Sequence, residues 1–531
     1  GEAPAEQNRW EGEAPAEPQN RRTVLHFRLG GSLALPVLRQ SLVLWVALLF
    51  APLVHGEETP NLADAVQDDD VAAVAALLKK KADTNARQTD GRAALLWAAH
   101  HDDLDTARKL IDAGADVRAA NRYGISALSL ACTNGNAALV KLLLDAGADP
   151  NTTQTGGVTM LMIAARTGRL GVVQALLDNN ADIHAKQRDG QTALMWAAAA
   201  GHADVVDALI DAGADYRRPL DSGFTPLCFA VRNGHIDVTR RLLAAKVDVN
   251  QAMTQARGGR NKPVKNTSPL LLAMENGHFE LADILLQAGA DPNDMRTGFA
   301  PLHAMSWIRK PEKGDNETGT PPPEGSGNLT SLQFVRRLVE HGADVNLRKT
   351  SDGGGRLRIS VKDTTPFLCA AATADVEYMQ TLLELGADPT HKNAKNQTAL
   401  MMAAGIDERP EGDGPATKDE HLAAVTFLLD LGEAGGQDVN AIDVHGETAM
   451  HGAAYKSLPE VVALLDQRGA DINIWAKPTR QGRTPLSIAQ GFRPGNFKPS
   501  LETIAAIKKV MLAHGVTPPP PPKRRDEGYR D

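Results

Sequence analysis

Between residues 188 and 220 two short apolar stripes alternate with polar breaks. Leu194, Ala197 and Ala198 mark one face of a short helix, and Val205, Val206, Leu209 and Ile210 mark one face of a second. The punctuation between them is specific. Asp189-Gly190 reads as a turn because glycine tolerates positive φ, and Thr192 stands where an N-cap hydroxyl accepts from free helix amides. Gly201-His202 breaks the first helix, and Gly213 ends the second as a left-handed cap. The pattern predicts turn, helix, tight loop, helix. One such unit cannot stay folded alone, but a stack buries both of its faces.

The same pattern recurs at a fixed interval. Gly114-Ala115-Asp116, Gly147-Ala148-Asp149, Asn180-Ala181-Asp182 and Gly213-Ala214-Asp215 start 33 residues apart, and Lys81-Ala82-Asp83 and Lys246-Val247-Asp248 keep the step on either side. After 246 the beat stretches, with its glycines at 289, 342, 386 and 436, and then returns to 33 at 469. A period of this length predicts an elongated stack rather than several globular domains, and a stack needs no pocket. That moves the expected function from catalysis towards binding.

Further signatures sharpen the unit: Thr225-Pro226-Leu227, Thr484-Pro485-Leu486, Pro301-Leu302-His303, the Gly-His pairs at 201–202, 234–235 and 277–278, and Gly-Ala-Asp-Val/Pro/Ile-Asn at 342–346, 289–293 and 469–473. On these residues the chain resembles the ankyrin repeat over nearly everything from 59 to 515. The resemblance implies an all-α repeat solenoid of stacked helix-turn-helix units with β-hairpin-like fingers, about twelve of them, with degenerate copies at the two ends. It also implies a contact surface made of finger tips and the inner, concave face of the first helices.

The remaining segments read differently. Residues 1–40 are a low-complexity N-terminus in which Gly-Glu-Ala-Pro-Ala-Glu occurs at 1–6 and again at 12–17. Arg39 followed by the apolar run Leu42–Val54 and by Gly56 resembles a secretory signal over 41–56, which predicts export to the periplasm or beyond the cell; an uncleaved anchor is the alternative. The run is short for a membrane span and contains Pro52, so no span is expected after cleavage. The array, 57–515, carries insertions near 251–265, 308–329, 349–362, 406–419 and 491–499, and 516–531 is a proline-rich tail. Because the beat breaks between 251 and 436, functional individuality is expected there first.

Composition narrows the chemistry. A net charge of −8 disfavours nucleic acid as a general partner, and aromatics make up only 4% of the chain. Cys132, Cys228 and Cys369 lie in apolar helical stretches and read as small buried hydrophobes. No metal-binding, phosphate-loop or nucleophile-elbow motif occurs, so no catalytic residue, metal or cofactor is expected. His202, His235 and His278 recur at matching repeat positions, too far apart to share one ion, and read as structural. Trp97 and Trp196 read as packing residues.

The expected role is a monomeric, non-catalytic scaffold for a protein partner. On the finger side the candidate contacts are Arg122, Tyr123, Ile125, Arg188, Gln191, Phe224 and Phe299. At the ends of first helices they are His100, His101, Asn134, Arg166, Arg232, Asn233 and Tyr455. A second set sits in the basic insertions: Arg257, Arg260, Lys262 and Lys265 in one, and Arg348, Lys349, Arg356, Arg358 and Lys362 in the other. That set suggests a regulatory subunit docking an anionic protein or polysaccharide.

Overall fold

A computed structural model of the chain describes residues 61–253, 266–311, 322–350, 361–406, 414–432, 435–492 and 498–520, all within one compact unit, Pro60–Asp531. Helices dominate it and follow one another in pairs. The first six pairs are α1 (Leu62–Gln67) with α2 (Val71–Lys79), α3 (Ala94–His100) with α4 (Leu104–Asp112), α5 (Ala127–Asn134) with α6 (Ala137–Asp145), α7 (Met160–Thr167) with α8 (Leu170–Asp178), α9 (Ala193–Ala200) with α10 (Ala203–Asp211), and α11 (Pro226–Arg232) with α12 (Ile236–Ala244). Then come α13 (Pro269–Glu275) with α14 (Phe279–Gln287), α15 (Pro301–Arg309) with α16 (Ser331–Glu340), α17 (Pro366–Ala372) with α18 (Val376–Glu384), α19 (Ala399–Ala404) with α20 (Lys418–Leu431), and α21 (Ala449–Tyr455) with α22 (Pro459–Gln467). A single turn, α23 (Ile472–Trp475), precedes the last pair, α24 (Pro485–Ala489) with α25 (Leu501–Ala513). Among the described residues no helix is long and apolar enough to cross a membrane.

Each first helix packs on the next first helix, from α1 through α24, and the second helices from α4 to α16 and from α18 to α25 form a parallel row. The product is an all-α repeat solenoid. Small residues bring the first helices together: Ala98, Ala131, Ala164, Ala197, Ala230 and Ala273 are each fully buried. Each second helix supplies a leucine to the seam, and Leu110, Leu143, Leu176, Leu209 and Leu242 are likewise fully buried. Truncating one of these would cost about 2–5 kcal/mol, so the interface between neighbours holds most of the stability of a unit.

Local chemistry fixes where the helices start. Thr192, Thr225, Ser268 and Thr365 each accept the N–H three residues on, and proline follows the last three at a position where its missing N–H costs nothing. The fingers close by short hairpin bonds, such as Gln187 N–H to Gln191 C=O at 3.0 Å and Leu220 N–H to Phe224 C=O at 2.9 Å. Among the described residues only one finger pairs as strands, β1 (Thr153–Gln154) antiparallel to β2 (Val158–Thr159).

Two side chains clamp neighbouring repeats. The asparagine closing the Gly-Ala-Asp-x-Asn phrase reaches one repeat ahead, donating to a carbonyl and accepting an amide. Asn293 Nδ2 donates to Gly342 C=O at 2.8 Å while its Oδ1 accepts from Asp344 N–H at 2.8 Å. Asn85, Asn151, Asn250, Asn346 and Asn440 make the same pair of bonds. The Gly-His histidine reaches one repeat back: Nε2 of His202, His235 and His278 lies 2.9, 2.9 and 3.1 Å from the carbonyls of Arg166, Ala199 and Arg232. These rings are therefore structural, and they join repeats rather than bracing their own loops.

Candidate functional site

The frame accounts for the repeated residues, the exposed Asp116, Asp149, Asp182 and Asp215 of the Gly-Ala-Asp phrase included; other exposed side chains differ from copy to copy. On the finger side Arg122 is exposed with its guanidinium 4.8 Å over the ring of Tyr123, itself 58% exposed, and Ile125 behind them is half-buried. Arg188 is exposed while its backbone N–H donates to Gly156 C=O at 2.8 Å, tying one finger to the previous one. Gln191 accepts from Gln187 Nε2 at 3.0 Å and is half-buried. Phe224 is half-buried and meets Phe229 of α11 edge-on, with ring centres 4.7 Å apart.

Two expectations of exposure are corrected. Phe299 is only 3% exposed, because its ring packs edge-on against Trp307 of α15 at 4.9 Å. Tyr455 is fully buried: its hydroxyl donates to Glu447 Oε1 at 2.7 Å and accepts from Arg483 Nη1 at 3.0 Å. Burial raises its phenol pKa, and the Glu447 carboxylate raises it further. Both residues hold the stack together. Lys349, expected on a solvated basic finger, is 2% exposed, because its backbone pairs with Thr364 and Asp363 and draws the side chain inside. Arg257, Arg260, Lys262, Lys265, Arg356 and Arg358 lie outside the described residues.

At the ends of the first helices His100, His101 and Arg232 are exposed and Arg166 is half-buried over Trp196, 5.3 Å from the ring centre. His100 and His101 meet edge-on at 5.6 Å, and both rings lie near Trp97. Burial lowers the His100 pKa, and the neighbouring His101 and Arg92 lower it further. Arg92 completes this cluster 4.5 Å over the Trp97 ring. Asn134 and Asn233 are partly framework, donating to Ala99 and Ala199 carbonyls at 2.9 and 2.7 Å.

Trp97 and Trp196, read from the sequence as packing residues, belong to a longer row of apolar side chains one repeat apart that the sequence reading did not assemble. Trp97, Leu130, Ile163, Trp196 and Phe229 occupy one helix position at steps of 33, and all but Ile163 are half-buried. Three residues further on stand His100, Thr133, Arg166, Ala199 and Arg232. The signal was present in the 33-residue register, but it becomes legible only when the rows are aligned by helix face.

Reactive groups elsewhere are quenched. Burial pushes the Cys132 and Cys369 thiols up to about 12 and raises Cys228 as well. No group of His, Cys, Asp or Glu among the described residues could hold a metal ion. A cleft of about 520 Å³ lies beside the α15–α16 connection. Its guanidinium, Arg309, already donates to both Asp375 oxygens at 2.7 and 3.1 Å, to Ser331 at 2.5 Å and to Glu377 at 3.2 Å, so it works as a staple across repeats. Lys310 pairs with Glu420 in the same wall.

Comparison with known proteins agrees with this frame. Residues 62–154 and 161–253 match the family model described as ankyrin repeats (3 copies), and 265–296 and 445–477 match that of the single ankyrin repeat. The chain is 30% identical to the B-cell lymphoma 3 protein of Homo sapiens over 162 residues, covering 30% of each chain. It is 27% identical to the ankyrin repeat and SOCS box protein 6 of Homo sapiens over 191 residues, 34% of this chain and 39% of that one. Over 122 residues it is 31% identical to the B-cell lymphoma 3 protein homolog of Mus musculus, 23% of this chain and 24% of that one. The chain thus spans well under half the length of these relatives.

Proposed function

Because the chain carries an array of ankyrin repeats, a module of protein–protein contact, we propose that it is a non-catalytic scaffold binding a protein partner along its finger and first-helix face. One observation carries the reading: the finger and first-helix face presents exposed aromatic, histidine and arginine side chains that differ from copy to copy, with Tyr123, Arg188, His100, His101 and Arg232 among them. Exposed aromatics beside arginine have the composition of interface hot spots. The apolar run at 42–54 supports a site of action in the periplasm or outside the cell.

The test is capture of partners from the native source by the intact chain and by a quadruple variant, His100→Ala, Tyr123→Ala, Arg188→Ala and Arg232→Ala, followed by mass spectrometry. The partner should disappear from the variant, whose melting transition should match the parent because all four side chains are exposed. Undiminished capture would move binding to another face.

A further inference from the structure

The charge on this face opposes that of the chain. Across the five fingers and five first helices from residue 87 to 232 there are eight Lys or Arg and three carboxylates, Asp90, Asp189 and Asp221. Helices α3, α5, α7, α9 and α11 contain no acidic residue at all, whereas their second-helix partners α4, α6, α8, α10 and α12 carry eight Asp against five Lys or Arg. A net positive face on a chain of charge −8 is segregated by helix type, one row basic and the other acidic.

Pairing is sparser on the first-helix face, where Arg92 meets Asp90 at 3.1 Å. On the second helices Arg241 meets Asp207 at 2.9 Å and Lys141 meets Asp145 at 3.3 Å. On the first-helix face Arg122, Arg166, Arg188 and Arg232 form no ion pair among the described residues. Arg122 and Arg166 lie instead over aromatic rings. Such stacking holds a guanidinium plane in place with its outward N–H groups free for a carboxylate. Neighbouring rows lie within about a Debye length, roughly 8–10 Å, so their fields overlap.

The apolar row gives the spacing. Trp97, Leu130, Ile163, Trp196 and Phe229 cover four helix-to-helix steps of about 8–10 Å each, or roughly 32–40 Å, which an extended chain at about 3.3 Å per residue crosses in about 10–12 residues. We infer that this face receives an extended acidic segment of a partner protein, about a dozen residues long, with an apolar side chain at roughly every third position. The inference rests on the reading above that the chain binds protein through this face. The apolar side chains sit on the half-buried row, and the carboxylates between them meet the unpaired arginines.

The full chain is titrated with a fluorescent twelve-residue peptide of four Leu-Glu-Asp triplets, with a Leu-Ser-Gln peptide of equal length, and with heparin and a single-stranded oligonucleotide. The acidic peptide should bind most tightly and weaken as salt rises. The triple variant Arg122→Glu, Arg188→Glu and Arg232→Glu should lose at least about tenfold in affinity, about 1.4 kcal/mol. Reversal of the exposed second-helix charges, Lys109→Glu, Lys141→Glu and Arg240→Glu, should leave binding unchanged. Thermal unfolding of both variants checks that the fold persists. Equal binding of heparin or oligonucleotide would overturn the inference in favour of a general polyanion surface, and equal binding of the neutral peptide would remove the carboxylates from it. If the acidic peptide fails to bind while the quadruple variant still loses its native partner, the acidic segment is wrong and the scaffold reading stands. If both experiments show no effect, both fall.

Discussion

At the scale of single residues, the buried histidines show how sequence identity and environment part company. His303 and His451 stand three residues after the N-caps Ala300 and Thr448, and each Nδ1 accepts the backbone N–H of its cap, at 3.2 and 3.1 Å. His303 Nε2 lies 3.0 Å from Thr364 C=O, so the neutral tautomer with hydrogen on Nε2 satisfies both bonds. Burial pushes His303 down to about 4, aided by the Lys349 charge, and His451 down to about 3. With the folded pKa below the unfolded value near 6.5, the unfolded chain binds protons first as pH falls. Stability is therefore complete above about pH 6.5 and is lost on acidification towards pH 4, at up to about 1.4 kcal/mol per pH unit for each histidine. Urea unfolding at pH 7 and pH 5 should show this loss, and His303→Gln should shrink it by about half. A flat profile between those values would rule out the neutral, buried state.

At the scale of elements, two glycines that look alike in sequence serve different ends. Gly201 and Gly213 both adopt positive φ, +86° and +98°. A Cβ at Gly213 would meet nothing within 4 Å, whereas one at Gly201 would lie 2.6 Å from Nδ1 of His235, the ring that joins its repeat to the previous one. Gly213→Ala should cost about 1–2 kcal/mol from backbone strain alone. Gly201→Ala should cost about 1 kcal/mol more, since the clash displaces a hydrogen-bonded ring. Denaturant midpoints of the two variants decide it, and equal costs would show that the histidine does not depend on the glycine. The Gly-His pair is thus a device shared by adjacent units: glycine in one makes room for histidine in the next.

At the scale of the whole molecule, stability is passed from neighbour to neighbour. The asparagine clamp is the visible coupling, and it is interrupted where Arg118, His184, Arg217 and Thr390 stand in its place. Arg118 and Arg217 still reach a carbonyl of the next repeat, at 2.9 and 3.5 Å. His184→Asn should restore the clamp to the following repeat and raise stability by about 0.5–1.5 kcal/mol, while Asn293→Ala should lower it by about 1–3 kcal/mol. Hydrogen exchange at the flanking helices would register both changes, and an unaltered protection pattern at 338–344 in Asn293→Ala would dismiss the clamp as a coupling element. Functional individuality is expected in the irregular stretch from 251 to 436, much of which lies outside the described residues; in the regular half Arg92, Arg122, Arg166 and Arg217 each lie over an aromatic ring. Regular spacing constrains the buried frame and leaves the outward positions free to differ.

The repeat, the helix pairs, the caps at Thr192 and Thr225 and the inert cysteines were legible in the chain because they depend on contacts within a unit or on a pattern copied every 33 residues. Exposure was not. Phe299 and Tyr455 read as surface residues by repeat position, but Trp307, Glu447 and Arg483 close over them. Lys349 read as a solvated charge and lies inside. Those outcomes depend on side chains from other parts of the chain, brought near only when the units stack. The same stacking aligns Trp97, Leu130, Trp196 and Phe229 into one row and separates basic first helices from acidic second helices. Sequence alone determined which unit repeats; packing between units decided which side chains are left facing outward to meet a partner.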